Sequence, residues 1–243
     1  MISFVCWKWS DPRAGRAFSS SHVNTLARAI ARHYDAPHRV LCVTDDQRGL
    51  SPNVLPIPMP RTGFEDLLNP SQTQRTRGVE KPFPSCYRRL WNFSSAARAL
   101  LGDRIFALDI DVIVLGDLRP LVTRSASFVG WCDPRFQWDK VAGGAYLLTT
   151  GAHVDVYDEF DPLTSPAIAK AAGFEGSDQA WMSYKLYPPR QHWSSADGLI
   201  KLNWLRNAET PPPGTRLIFT SGDRPPWDSS VQMRHPWIKE YWR

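Results

Sequence analysis

Residues Arg104-Ile-Phe-Ala-Leu-Asp-Ile-Asp-Val-Ile-Val-Leu-Gly-Asp117 constrain this chain most, because two carboxylates interrupt a run otherwise apolar enough for a buried strand. Aspartate is almost never buried unpaired, so Asp109 and Asp111 must meet a cation, a donor network or solvent. In an extended chain residues i and i+2 point the same way, which aims both carboxylates together from the end of an Ile105 to Leu108 strand. That geometry suits a hard divalent ion carrying a diphosphate. A turn between two strands, with both aspartates capping backbone amides, is the structural alternative.

The chain of 243 residues is 42% hydrophobic and 22% charged, enough to close a single α/β domain around one core. No apolar run approaches a membrane span, and the segment from Met1 to Lys8 lacks the basic leader and cleavage site of an export signal, so a cytoplasmic location is expected. Cys6, Cys42, Cys86 and Cys132 are widely spaced and never in CxxC register, which predicts reduced, packed thiols. A formal charge of +5 fits an anionic partner: a nucleotide diphosphate, a lipid headgroup or nucleic acid. The 11 tryptophans offer platforms for sugars or bases, although most, including Trp91 and Trp181, fall on apolar helix stripes.

Ile2 to Trp7 reads as a buried strand, followed by a helix capped at Ser20 or Ser21 with the stripe Val23, Leu26, Ala27, Ile30, Ala31 and Tyr34. Strands follow at Arg39 to Thr44 and Asn53 to Pro58, the latter confined by its prolines to a sheet edge. This order begins an open, mostly parallel sheet. The stretch Thr62 to Ser85, with Arg75, Arg77 and Lys81, shows no period and reads as a loop, either beside a site or simply solvated. Ser85 is expected to cap a helix bearing Leu90, Phe93, Ala97, Leu100 and Leu101, ended by Gly102. Further strands are expected at Ser127 to Trp131, Gly143 to Thr149 and Arg216 to Thr220, and a helix capped by Ser177. Trp227, Trp237, Tyr241 and Trp242 either line an acceptor site or anchor the C-terminal tail.

Taken in order, Val5-Cys-Trp-Lys-Trp9, His22-Val-Asn-Thr-Leu26, Pro37 to Asp46, Arg89-Leu-Trp-Asn-Phe93, Ala107 to Asp117, Gly143-Gly144, Ser177-Asp-Gln179 and Gly222 with Pro225-Pro-Trp227 resemble a GT-A type nucleotide-sugar glycosyltransferase. They are similar to glycogenin, to lipopolysaccharide galactosyltransferase-like enzymes and to small bacterial or phage glycosyltransferases. The resemblance implies one Rossmann-like GT-A domain over 1–243, with a nucleotide-binding half (1–118), a sugar and acceptor half (119–243), and a DxD motif at a strand end. It implies a nucleotide-sugar donor, UDP-sugar above others, at the carboxyl ends of the parallel strands. Asp109 would face the ribose and a Mn²⁺ or Mg²⁺ ion, and Asp111 would hold that ion. Trp7 and Lys8 would lie at the base and phosphates, Arg89 would stand for a family lysine, Gly143 and Gly144 would let the sugar approach, and Lys201 and Gly222 would complete the phosphate site. Asp178 and Gln179 match an acid-amide pair beside the reacting carbon, as general base or as stabiliser of an oxocarbenium-like sugar.

The departure is at Ile218-Phe-Thr-Ser-Gly-Asp-Arg-Pro-Pro-Trp-Asp228, where relatives carry a metal-binding histidine and this chain has Phe219 or Ser221; Asp223, His235 or water would substitute. Two other functions therefore compete with sugar transfer to a hydroxyl of a glycan, lipid-linked sugar, protein or modified nucleic acid. One is a catalytically degenerate nucleotide, glycan or nucleic-acid binder; the other is metal-dependent nucleotidyl transfer, against which stands the lack of a GxxxxGK[ST] loop.

Overall fold

Runs of branched and aromatic residues in strand lengths of three to nine build the molecule, seen here as a computed structural model. It describes residues 1–11, 18–76, 79–135, 140–206, 209–220 and 224–243, with backbone alone at 71–76 and 79–83. The described strands are β1 (Ile2–Lys8), β2 (His38–Thr44), β3 (Val54–Pro58), β4 (Leu68–Thr76), β5 (Val79–Pro84), β6 (Arg104–Leu108), β7 (Val112–Val114), β8 (Phe128–Trp131), β9 (Ala142–Thr149), β10 (Gln191–Trp193), β11 (Leu199–Lys201) and β12 (Leu217–Phe219). The main sheet runs in the order β10-β8-β9-β6-β1-β2-β3. Pairing along it is parallel except on both sides of β9, which is reversed. The α/β expectation and the open, mostly parallel sheet are both met, and the proline-bearing β3 occupies the edge.

Alternation along β1 divides the core. Phe4 and Cys6 pack with Val23, Leu26 and Ile30 of helix Ser20–His33, while Val5 and Trp7 pack with Leu90, Phe93 and Leu101 on the opposite face. Each such fully buried aliphatic side chain contributes about 1.5–3 kcal/mol by leaving water. A second sheet, β11-β12-β7, packs Ile113, Ile200 and Ile218 against Trp237 and Ile238, so the C-terminal tail is anchored on the core. Trp227 lies stacked on His22, with ring centroids 3.7 Å apart.

Four local expectations are corrected. Thr62 to Ser85 is not one loop: β4 and β5 pair antiparallel as a separate ribbon, and strands paired only with each other show no core-facing period. The helix expected from Ser85 is a 3₁₀ segment, Tyr87–Phe93, then a break at Ser94 and a short helix, Ala97–Leu101, with Leu100 exposed. Gly102 does end it, at φ 90°, a value that favours glycine. The first helix is capped by Ser19, whose backbone N–H donates to His22 Nδ1 at 3.1 Å. Ser177 precedes helix Asp178–Leu186 without a side-chain cap, because its hydroxyl accepts from Cys86 N at 3.0 Å and faces Asp178 Oδ1 at 3.2 Å.

Candidate active site

The parallel strands β1 and β6 end at the same rim, and the reversed β9 begins there. Lys8 therefore closes β1, Asp109 follows β6, and Gly143 and Gly144 open β9, with Asp109 N donating to Gly144 O at 2.9 Å. This rim is where open α/β sheets receive ligands.

Asp109 and Asp111 do not lie in one extended run. Val112 N donates to Asp109 O at 3.4 Å, so the segment between β6 and β7 is a turn, as one of the two sequence readings expected. Neither carboxylate is given over to the turn alone. Asp109, about one-third exposed, ion-pairs with Arg89 Nη1, and Asp111, 7% exposed, accepts from the Thr220 hydroxyl at 3.1 Å. Thr220 also donates to Asp111 O at 3.1 Å, which ties the turn to the end of β12.

Arg89 is the hinge of the charge pattern. The 3₁₀ segment carries it under the sheet rim, where Nε and Nη2 each reach Asp178 Oδ2 at 2.8 Å while Nη1 takes Asp109. Burial alone would depress its pKa, but the two carboxylates outweigh that and hold it well above the ordinary guanidinium value. Asp178 is nearly sealed from solvent, and burial pushes its pKa up against the opposing pull of Arg89. Burial likewise drives the neighbouring Cys86 thiol up to about 12, so it remains protonated.

Gln179 Oε1 accepts from Gly143 N at 3.3 Å, which fixes the start of helix Asp178–Leu186 on the start of β9. A β-carbon on Gly143 would lie 3.1 Å from Gln179 Cβ and 3.3 Å from Arg89 Nη2; one on Gly144 would lie 2.8 Å from the Phe219 ring and 3.3 Å from Asp109 Oδ2. The two glycines thus let three chain segments close on the rim, the close approach that glycine in a strand signals.

Lys8 and Trp7 separate. Lys8 is 6% exposed on the helix Ser20–His33 face, with no hydrogen bond or ion pair among the described residues. Trp7 turns inward instead, 5% exposed, its indole N–H donating to Asn92 Oδ1 at 3.1 Å, because the alternation of β1 puts it on the core side. Lys201 ends β11 in register with Phe219, which in turn faces Val112 next to Asp111. Gly222 and Asp223 lie outside the described residues.

The structure brings together Arg89, Asp109, Gly143, Gly144, Asp178 and Gln179, with Asp111 and Lys201 on the adjoining small sheet. Sequence reasoning missed Thr220, whose one signal was its position at the end of the strand expected over Arg216 to Thr220, and the Asn92 amide, which also donates to Tyr146 OH at 2.7 Å. Phe219 is buried, stacked on Trp131 at 4.3 Å, which explains its apolar character. His235 is buried behind the small sheet, beside Trp237. Among the described residues no three His, Cys, Asp or Glu side chains gather as a metal cluster. The described donor set is carboxylate oxygen from Asp109 and Asp111 with the Thr220 hydroxyl beside it, the hard-oxygen chemistry that suits Mg²⁺ or Mn²⁺.

No family model matches the chain, and no curated protein matches it. Solved structures do. The galactosyltransferase LgtC, crystallised with donor and acceptor sugar analogues, superposes at a TM-score of 0.62 and 12% identity over 98% of this chain and 94% of its own. A glutamine-to-glutamate active-site mutant of LgtC superposes at 0.59, with 12% identity over 94% of this chain and 90% of that one. The glycosyltransferase GlyE of Streptococcus pneumoniae TIGR4 matches at 0.59 and 12% identity, over 99% of this chain and 60% of its own. The chain has the GT-A glycosyltransferase fold. Among the described residues no helix is long and apolar enough to cross a membrane.

Proposed function

We propose that this protein is a metal-dependent glycosyltransferase that moves a sugar from a nucleotide-diphosphate donor, UDP-sugar above others, to a hydroxyl acceptor. The observation that carries it is the convergence of Arg89, Asp109, Asp178, Gln179 and the two close-approach glycines at the carboxyl rim of a GT-A sheet. In this reading Asp109 and Asp111 hold Mn²⁺ or Mg²⁺ through carboxylate oxygens. An ion held there would supply Lewis-acid neutralisation of the negative charge on a departing diphosphate. Lys8, buried at the end of β1 with no hydrogen bond or ion pair among the described residues, and Lys201 at the end of β11 take phosphate oxygens.

Asp178 acts as a positioning residue. It is almost fully enclosed and bound twice by Arg89, so its carboxylate orients that guanidinium rather than receiving an acceptor proton. Gln179, held on Gly143 at the start of β9, stands for the side chain nearest the reacting carbon.

Thermal unfolding with UDP, GDP, CDP, ADP and dTDP, each with Mn²⁺, Mg²⁺ or chelator, tests the proposal. At a hundred times Kd a ligand adds about 2.7 kcal/mol, roughly 5–10 °C for a chain this long. A shift that needs both one nucleotide and the ion is expected; no shift with any of them sinks the reading. The apolar Phe219, packed on Trp131, favours a second reading in which the protein binds the donor without turnover. Slow donor hydrolysis without acceptor decides for the enzyme, and binding with no hydrolysis and no transfer decides for the binder.

A further inference from the structure

Behind the small sheet lies a cavity of about 220 Å³, floored by Leu202 and Val231 and rimmed by Asn203, Arg224, Arg234 and His235. It is roomy: about seven times the volume a water occupies in the liquid. Its polar lining is strongly biased toward donors. Arg224 and Arg234 are both exposed at its mouth, and neither forms an ion pair or side-chain hydrogen bond among the described residues. No carboxylate belongs to the described lining.

His235 makes this more than a pair of surface arginines. The residue is 4% exposed, and its Nδ1 is sealed from solvent with no hydrogen-bond partner among the described residues. A buried donor or acceptor without a partner costs about 1–3 kcal/mol, and an orphaned buried N–H is the rarer of the two. That places the ring proton on Nε2, leaving an N–H donor on a residue that lines the cavity. Burial, with Arg234 nearby, holds the imidazole pKa below its ordinary value, so the ring is neutral at pH 7 and serves as a directional donor.

We infer that this cavity is an oxyanion subsite, separate from the donor rim, that receives a phosphate group through Arg224, Arg234, the Asn203 amide and His235. Guanidinium forks bind phosphate in two parallel hydrogen bonds, and a neutral imidazole N–H beside them adds direction without charge. The chain runs into the cavity directly from the end of β11, from Lys201 to Leu202. The subsite stands independently of the proposed transferase reaction, because it rests on the cavity alone.

The test uses the intact protein without nucleotide and with chelator present. Imidazole nitrogen NMR of wild-type protein, titrated with inorganic phosphate and separately with glycerol 1-phosphate, is expected to move the His235 resonances and to saturate. Tighter binding of glycerol 1-phosphate assigns the site to the phosphate of a larger molecule; tighter binding of inorganic phosphate assigns it to the free ion. Arg234→Gln, an exposed substitution, is expected to weaken either ligand about tenfold or more, while metal-dependent UDP binding stays unchanged. His235 signals that ignore both ligands at saturating concentration overturn the inference, and so does unchanged affinity in Arg234→Gln.

Discussion

Replacing Arg89 with methionine isolates the charge arrangement on which the candidate site is built. The substitution keeps most of the aliphatic volume but removes the only cation bound to Asp178 among the described residues, leaving a carboxylate 3% exposed with the Ser177 hydroxyl beside it. Breaking a buried pair by deleting one partner costs about 3–5 kcal/mol. Each kcal/mol shifts Tm by about 2–4 °C at this chain length, so Arg89→Met is expected to melt about 6–20 °C below wild type at pH 7. Asp109 adds little to that loss, since it stays one-third exposed and can be hydrated. The deficit has a pH signature. Burial already raises the Asp178 pKa, and losing Arg89 removes an influence that lowers it. Between the unfolded and the raised folded value the native state holds the extra proton, so stability falls as pH rises through that window. The gap between variant and wild type should therefore narrow as pH is lowered toward the ordinary aspartate value near about 4. Adding Asp178→Asn to Arg89→Met removes the stranded charge and should recover at least half of the lost Tm. Differential scanning calorimetry across pH reads all three. A single variant within about 1 °C of wild type, or a double variant no more stable than the single, refutes the reasoning.

Asp111→Asn should keep the wild-type Tm within a few degrees, because Thr220 still has an oxygen to bond, yet lose the ion-dependent UDP shift; a retained shift removes Asp111 from the metal role. Lys8→Met, which deletes a buried cation lacking a described partner, should raise the ligand-free Tm while weakening UDP about tenfold or more, as judged by calorimetric titration. Gly144→Ala places a methyl 2.8 Å from the Phe219 ring and should cost about 1–3 kcal/mol in denaturant unfolding, with part restored by adding Phe219→Leu. Gln179→Ala should slow sugar transfer or donor hydrolysis at least about tenfold with little change in UDP affinity; an unaltered rate excludes it from the reacting centre.

The parts of the fold legible in the sequence are those where one face is buried and periodicity is strict. The β1 and β2 strands, the Ser20–His33 helix and edge strand β3 carry their own local signals of alternation, amphipathicity or proline. The β4–β5 ribbon was illegible because its strands pair with each other outside the two main sheets, so nothing in 68–84 needs to alternate. The Tyr87–Phe93 segment read as an α-helix because its residues are buried almost all round, and spacing cannot separate a 3₁₀ turn from an α turn when no side faces solvent. Its break at Ser94 depends on a hydroxyl reaching Ala97 N at 3.2 Å, a contact that the sequence permits without requiring.

The site was legible as a set of residues but not as a circuit. Asp109, Gly143, Gly144 and Asp178 each carried a local oddity, a carboxylate or glycine where an apolar element would not choose one. What no local pattern held is that Arg89 joins two of them across 20 and 89 residues of chain. That link changes the arithmetic of the rim. Arg89 with Asp109 and Asp178 leaves one net negative charge, and Asp111 makes two, so a divalent ion would bring the cluster to neutrality. Lys8, buried at the end of β1 without a hydrogen bond or ion pair among the described residues, is a cation outside that cluster. A monovalent ion, or none, would leave the carboxylates repelling the phosphates at close range, a penalty of several kcal/mol at the effective dielectric of such a rim. The proposed donor chemistry agrees with the charges of these described side chains, and the Arg89 link is the term that halves the negative charge of Asp109 and Asp178.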